Sequence, residues 1–196
     1  MENEDEIIKK AQDGSVDAFE RIVELYQNKV YSLVCHMMKN QNEVEDIAQE
    51  VFIKIYKNIN KFQGKSSFYT WIYKITANTC LDELKKKKKV IYLDEKIKTE
   101  DGEIDVEIAS DDKGQDQLYE EKEFQEKIKY YINKLEPKQK MMIVLRDIKG
   151  FSYEEISEIT GQKLGTVKSQ INRARLKLRK LLEKDGTFED YISSKD

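Results

Sequence analysis

Apolar residues recur at helical spacing along most of the chain. Phe19, Ile22, Val23, Tyr26, Val30, Leu33, Val34 and Met37 follow one another three or four apart, the stripe of an amphipathic helix. Gly14 and Ser15 separate it from a shorter helix, and Ser15 suits the N-cap. A second stripe, Val44, Ile47, Ala48, Val51, Phe52 and Ile55, predicts a helix from about Asn42. A third long helix starts near Ser67 and turns Tyr73, Ala77, Cys80, Leu81 and Leu84 inward. Periodicity fails from Val90 and returns with Phe124, Ile128, Tyr131 and Leu135. Pro137 then opens a helix that Gly150 ends, and "SYEE", Ser152 to Glu155, is a capping box for a short helix reaching Gly161 through Ile156 and Ile159. In the last helix Val167, Ile171, Ala174 and Leu178 pack inward.

Composition agrees with that pattern. One Pro and 8 Gly in 196 residues, 37% of them charged, favour helices over turn-rich β architecture, so the expected fold class is all-α. A hydrophobic content of 39% fills modest cores rather than one large one, which suggests two compact units. The join lies where periodicity fails: Asp94 to Gln117 holds ten acidic residues against three lysines, with Gly102 and Gly114 among them, the composition of a flexible acidic linker. The expected layout is a helical domain at 1–90, a linker at 91–117, a second helical domain at 118–185 and a tail at 186–196.

Several function classes drop out. "MENEDEIIKK" is acidic where a secretory signal would be basic and then apolar, and no stretch approaches the ~18 apolar residues of a membrane span, so a cytoplasmic protein is expected. Cys35 and Cys80 read as packed thiols, and His36 lacks a second ligand. With no Gly-rich phosphate loop and no nucleophile elbow, we expect no metal, no cofactor, no small-molecule substrate and no enzyme.

What remains is a set of surfaces. The second helix shows Asp46, Gln49, Glu50, Ile53 and Lys54 on its outer face, where two acids at i, i+4 and an isoleucine among polar neighbours mark either a docking face or an ordinary solvated one. In "FQGKSSFYTWIYK" the rings of Phe62, Phe68, Tyr69, Trp71 and Tyr73 crowd a Gly-Lys-Ser-Ser loop; such rings can stack on unpaired bases or close a small core. Asn78, Asp82, Lys85 and Lys89 share one stripe of the third helix, which ends in "KKKKK". Finally "GQKLGTVKSQINRARLKLRK", Gly161 to Lys180, has seven Lys or Arg and no acid in a chain of net charge -3. A short helix, a glycine-led turn and a longer basic helix is the order of a helix-turn-helix, whose second helix enters the major groove. Lys168, Ser169, Asn172 and Arg173 lie off its inward stripe and suit bases and phosphates.

Taken in order, these stretches resemble the extracytoplasmic-function (ECF) group of bacterial σ70-type RNA polymerase sigma factors, which have only the domains called σ2 and σ4. The matches are "EVEDIAQEVFIKIY" at region 2.2, "FQGKSSFYTWIYKITANTCLDELKK" across regions 2.3 and 2.4, and "FSYEEISEITGQKLGTVKSQINRARLKLRKLL" across region 4.2. The resemblance implies that Asp46, Gln49, Glu50, Ile53 and Lys54 bind the clamp helices of the polymerase β′ subunit. It implies that Lys61, Phe62, Gly64, Lys65, Ser66, Ser67 and Trp71 surround a flipped base of the −10 element, with Asn78, Asp82 and Lys85 facing the same DNA. Arg146, Gly165, Thr166, Lys168, Ser169, Asn172 and Arg173 match positions used at the −35 element. It further implies core RNA polymerase (β′ clamp helices and β flap), promoter DNA and a cognate, commonly membrane-bound anti-sigma factor as partners, a linker threading the polymerase cleft, and a role in a stress or envelope response. The family often has Arg where this chain has Lys85 and Gln170, and neither reproduces the planar fork of Arg.

Two other classes stand beside this reading. A conventional helix-turn-helix regulator, dimeric on duplex DNA, explains the basic strip equally well but not the aromatic loop or the acidic face. An interaction protein that only sequesters a partner has no use for the basic helix.

Overall fold

The structure, a computed structural model, describes residues 3–38, 40–95 and 116–184, with side chains over 3–38, 40–87 and 125–184. All regular elements among the described residues are helical: α1 (Glu4–Gln12), α2 (Val16–Met37), α3 (Gln41–Asn58), α4 (Phe68–Glu95), α5 (Asp116–Asn133), α6 (Pro137–Ile143), α7 (Tyr153–Thr160) and α8 (Leu164–Lys184). The all-α expectation holds. Of the expected linker, 96–115 lies outside the described residues, as does the tail at 186–196.

Local chemistry sets the helix ends. The Ser15 side chain accepts from the Ala18 N–H at 3.3 Å, capping α2. Asn40 caps α3 through its side chain, which accepts from the Asn42 N–H at 3.1 Å. At α4 the break in periodicity misleads, because the helix continues to Glu95.

The first four helices pack on the stripes read from the sequence. Ile22, Tyr26, Val30, Leu33, Val34 and Met37 of α2 are buried against Val44, Ile47, Val51 and Ile55 of α3 and Phe68, Ile72, Tyr73, Ala77 and Cys80 of α4. Full burial of such a side chain is worth roughly 1.5–3 kcal/mol, so this cluster supplies most of the gain that offsets ordering of the chain. Thr76 and Thr79, also buried, donate to the carbonyls of Ile72 and Ile75 at 2.9 Å each and leave no unmade hydroxyl bond. Burial raises the Cys80 thiol to about 12, in keeping with a packed thiol.

In the C-terminal half Pro137 sits in the first turn of α6. The run Met141–Leu145 is buried at every position, through the end of α6 and the π-turn Val144–Ile148 that follows. A helix buried on all sides must be sandwiched. On one side lie α7 and α8; on the other lie α2 and α4. The apolar core therefore passes continuously from the N-terminal helices into the C-terminal ones, where composition suggested two separate cores. A second, smaller cluster of Ile132, Leu135, Ile143 and Ala174 ties α5 to α8.

Candidate nucleic-acid and partner interfaces

The helix-turn-helix is built as its sequence suggests. Ser152 accepts from the Glu155 N–H at 3.1 Å while Glu155 accepts from the Ser152 N–H at 2.7 Å, a complete capping box on α7. Gly161 ends α7 in the left-handed region at φ 66°, where a side chain would be strained. The Ser157 hydroxyl then braces the turn by donating to the Gln162 carbonyl at 2.5 Å. With Val167, Ile171 and Ala174 buried, α8 has one fixed orientation, and Gly165, Thr166, Lys168, Ser169, Asn172 and Arg173 are all exposed.

Ion pairing divides the basic strip. Arg175 Nε donates to Asp147 at 3.1 Å and Arg179 pairs with Glu183 at 2.6 Å, so both already have anions. Lys168 and Arg173 form no ion pair among the described residues, which leaves their charge for an external phosphate or base. Arg146 differs from its predicted companions in being half-buried. Its Nη1 donates to the Phe151 carbonyl at 2.7 Å, and its guanidinium lies 4.7 Å from the centroid of the Tyr153 ring. Lys168 Nζ approaches the same ring at 5.6 Å. Tyr153, which the sequence reading passed over as part of the capping box, thus links Arg146 to the recognition helix; an aromatic one residue after the N-cap was the available signal.

The aromatic loop is both core and surface. Phe68 is buried and stacks on Trp71 at 5.5 Å and 21°, while Phe62 meets Phe68 edge-on at 5.0 Å and Trp71 at 5.5 Å. Phe62 and Trp71 remain half-buried; along the loop between them Lys61, Gly64, Lys65 and Ser67 are exposed and Ser66 is half-buried. From α1, Gln12 Nε2 donates to the carbonyls of Ile59 and Phe62 at 3.0 and 2.9 Å and holds the loop to the bundle. Gly64 turns the chain at φ 69°. Part of the set is committed to structure: the Ser67 hydroxyl caps α4 by accepting from the Thr70 N–H at 3.0 Å, and Lys61 Nζ donates to Asn58 Oδ1 at 2.8 Å. Along α4, Asn78 and Asp82 are exposed, and Asp82 pairs with Lys85 at 3.2 Å.

The α3 face is a third surface. Asp46, Gln49 and Ile53 are exposed, and Glu50 pairs with Lys54 at 2.7 Å. Lys54 also donates to Thr79 Oγ1 at 3.2 Å, so it fastens α3 to α4 as well as lining the face. Beside Ile53 stands Tyr56, 52% exposed, with Phe19 of α2 edge-on to it at 4.9 Å. These two rings extend the apolar part of the face beyond the residues read from the sequence. The i, i+3 step from Ile53 to Tyr56 carried that signal.

With this geometry in view, likeness to known proteins is informative. Residues 22–90 match the family described as Sigma-70 region 2, and residues 125–178 match Sigma-70, region 4. The chain is 39% identical over 176 residues to the ECF RNA polymerase sigma factor SigW of Bacillus subtilis, covering 89% of this chain and 94% of that one. It is 35% identical over 172 residues to the ECF RNA polymerase sigma-E factor of Haemophilus influenzae, covering 86% and 89%. In fold it resembles CnrH, solved in complex with the cytosolic domain of CnrY, at TM-score 0.64 and 20% identity over 91% of this chain and 96% of that one. It also resembles the sigma factor RpoE of Bartonella quintana, solved in complex with the anti-sigma factor NepR, at TM-score 0.62 and 24% identity over 86% and 98%. The aromatic loop on α4, the outward face of α3 and the helix-turn-helix at α7–α8 all fall in the matched segments, and the chain belongs to the ECF group of σ70-type RNA polymerase sigma factors.

Proposed function

We propose that this sigma factor directs core RNA polymerase to promoters by three surfaces, and that it contributes specificity and strand opening while the core enzyme supplies nucleotidyl transfer. The α8 face of Gly165, Thr166, Lys168, Ser169, Asn172 and Arg173, with Arg146 behind it, reads the −35 duplex from the major groove. The loop from Lys61 to Ser67, with Phe62 and Trp71, holds an extruded base of the −10 strand, and Asn78, Asp82 and Lys85 line the adjoining DNA. Unpairing costs a few kcal/mol per flipped base, so a fixed pocket with a ring edge at its mouth is the physical requirement. Asp46, Gln49, Glu50, Ile53 and Lys54 dock on the β′ clamp helices, and the β flap takes the C-terminal half.

The observation that supports this reading most directly is the division of α8. Three inward residues are buried at 0–1% exposure, while the six outward ones are exposed and include two cations without an ion pair among the described residues. A rigid helix offering uncommitted cations and amides is what groove reading needs. On this reading the layout is a core-binding and −10 domain at 1–90, a linker at 91–117, a −35 domain at 118–185 and a tail at 186–196. The protein works in the cytoplasm, in a stress or envelope response, under a cognate anti-sigma factor held at the membrane, without cofactor or small-molecule substrate. No helix among the described residues is long and apolar enough to cross a membrane, which suits tethering through a partner.

Co-elution with core polymerase on a sizing column, followed by run-off transcription from genomic fragments, tests the proposal. Stable co-elution and new start sites are expected, and Asp46→Lys with Glu50→Lys should abolish co-elution while circular dichroism is unchanged. Failure to bind core, with tight binding of the free protein to duplex DNA, would move the answer to a conventional regulator.

A further inference from the structure

We propose that Gln12, the last residue of α1, is a positioning residue for the extruded base: it fixes the backbone at the entrance of the Lys61–Ser67 loop, so that the loop has one shape before a strand arrives. The base-holding consequence rests on the promoter reading above; the brace itself does not.

The loop has little of its own to hold it. Its entrance is the short 3-10 turn Ile59–Lys61, which Phe62 leaves with extended backbone at φ −71° and ψ 118°. The Phe62 N–H donates to the Ile59 carbonyl at 3.0 Å, but from residue 63 to residue 66 no backbone–backbone hydrogen bond is made among the described residues. Gly64, in the middle, has the widest backbone freedom of any residue type. The next fixed point is the Ser67 cap on α4. Such a stretch must be ordered from outside, or its ordering entropy falls due when it captures a ligand.

Gln12 supplies that order. Its amide nitrogen carries two N–H donors, and they go to the Ile59 carbonyl at 3.0 Å and the Phe62 carbonyl at 2.9 Å. One half-buried side chain thus ties the start of the turn to the residue just past its end. The Phe62 carbonyl belongs to the peptide that leads into Gln63, so the second bond restrains the direction in which the loop departs. The Phe62 ring is held separately, by Phe68 and Trp71. Loss of Gln12 should therefore free the path of residues 63–66 while the rings stay in the core.

α1 can brace the loop because it is anchored without it. Ile7, Ile8 and Ala11 are buried, and at the far end of the helix Glu4 accepts from the Tyr26 hydroxyl of α2. Burial, and after it the Glu4 carboxylate, push the Tyr26 phenol above its ordinary range and keep it a donor. The Tyr26 ring lies edge-on to Phe68 at 5.6 Å and 81°. The helix therefore reaches the aromatic cluster twice, through the backbone of Phe62 and through the ring that packs on Phe68.

Gln12→Met and Gln12→Lys form the test. Both keep an unbranched side chain of good helix propensity; Met has no donor, whereas Lys brings back a nitrogen with donors to spare. Trypsin cleavage after Lys65 in the full chain, followed by mass spectrometry, reads the brace without DNA. Gln12→Met should be cut ~10-fold faster than the wild type, the factor for freeing about one backbone residue. Equal rates would overturn the brace. On core polymerase, binding of a labelled −10 single strand, taken from a promoter recovered by run-off transcription, should weaken ~10-fold in Gln12→Met and return in Gln12→Lys. Core co-elution and −35 duplex binding should not change. A parallel loss in all three measurements, or no return with Lys, would mean that Gln12 only supports the fold and would overturn its positioning role. Equal −10 binding despite faster cleavage would reject that role too. A wild type that holds no −10 strand on core would instead sink the promoter reading, and the cleavage rates would still decide the brace.

Discussion

The recognition helix and the aromatic loop are both proposed to hold DNA, and they are built in opposite ways. On α8 the residues that face outward bear none of the packing: Lys168, Ser169, Asn172 and Arg173 are exposed while Val167, Ile171 and Ala174 anchor the helix from the other side. In the loop the two tasks fall on the same rings, because Phe68 closes the core, Trp71 stacks on it, and Phe62 touches both. The DNA roles proposed for the two surfaces suit that difference. A duplex presents its edges to a convex surface of adaptable polar side chains, whereas an extruded base needs a slot that exists before it arrives. On the proposed reading, specificity can drift at α8 without touching the fold and cannot do so at the loop, where the same rings close the core.

The largest effect that would break this comparison is on stability. Phe68→Ala should cost ~3–5 kcal/mol, as for other buried phenylalanines, and should expose Cys80 to thiol reagents. A urea midpoint near that of the wild type would show the rings to be surface furniture. On α8, Lys168→Ala with Arg173→Ala should lower promoter affinity by ~1–3 kcal/mol per lost base contact while the unfolding free energy, read in urea, stays within about 0.5 kcal/mol of the wild type. Should these side chains touch phosphate alone, the loss is uniform across sequences and the salt slope falls by roughly one per contact. Ser152→Ala comes next: loss of the capping box should cost about 1 kcal/mol, read in urea. It should weaken −35 binding only through that loss.

How legible these parts were follows the same division. The α8 face could be read because helical period separates inward from outward residues when one side is buried. In the loop, period gives no such separation; whether Trp71 is core or surface depends on Phe62 and Phe68, which only the fold brings against it. The joining of the two halves was also missed, although the sequence holds a trace of it. Met141 to Leu145 is apolar at five successive positions, too many for one face of a helix, and so needs a second surface to bury against. No sequence rule would have pointed Lys140 at Met37, since that contact spans 103 residues. Composition likewise could not tell two cores from one that crosses a domain boundary.

The smallest expected effect sharpens the comparison furthest. Lys65 is exposed on the loop between Phe62 and α4, so Lys65→Ala should leave stability within about 0.5 kcal/mol. Its effect on −10 single-strand binding, measured with the protein on core polymerase, depends on what holds the base. A phosphate contact by Lys65 contributes about 0.7 to the slope of log affinity against log salt, and that contribution vanishes as salt rises. Stacking on a ring is worth ~1–3 kcal/mol per base and depends little on salt. If the loop is a slot made of core, the variant and the wild type should converge in high salt, with the ring contribution intact in both. A gap that persists at high salt would mean that the lysine itself contacts the base, and the loop would then work by the same means as α8.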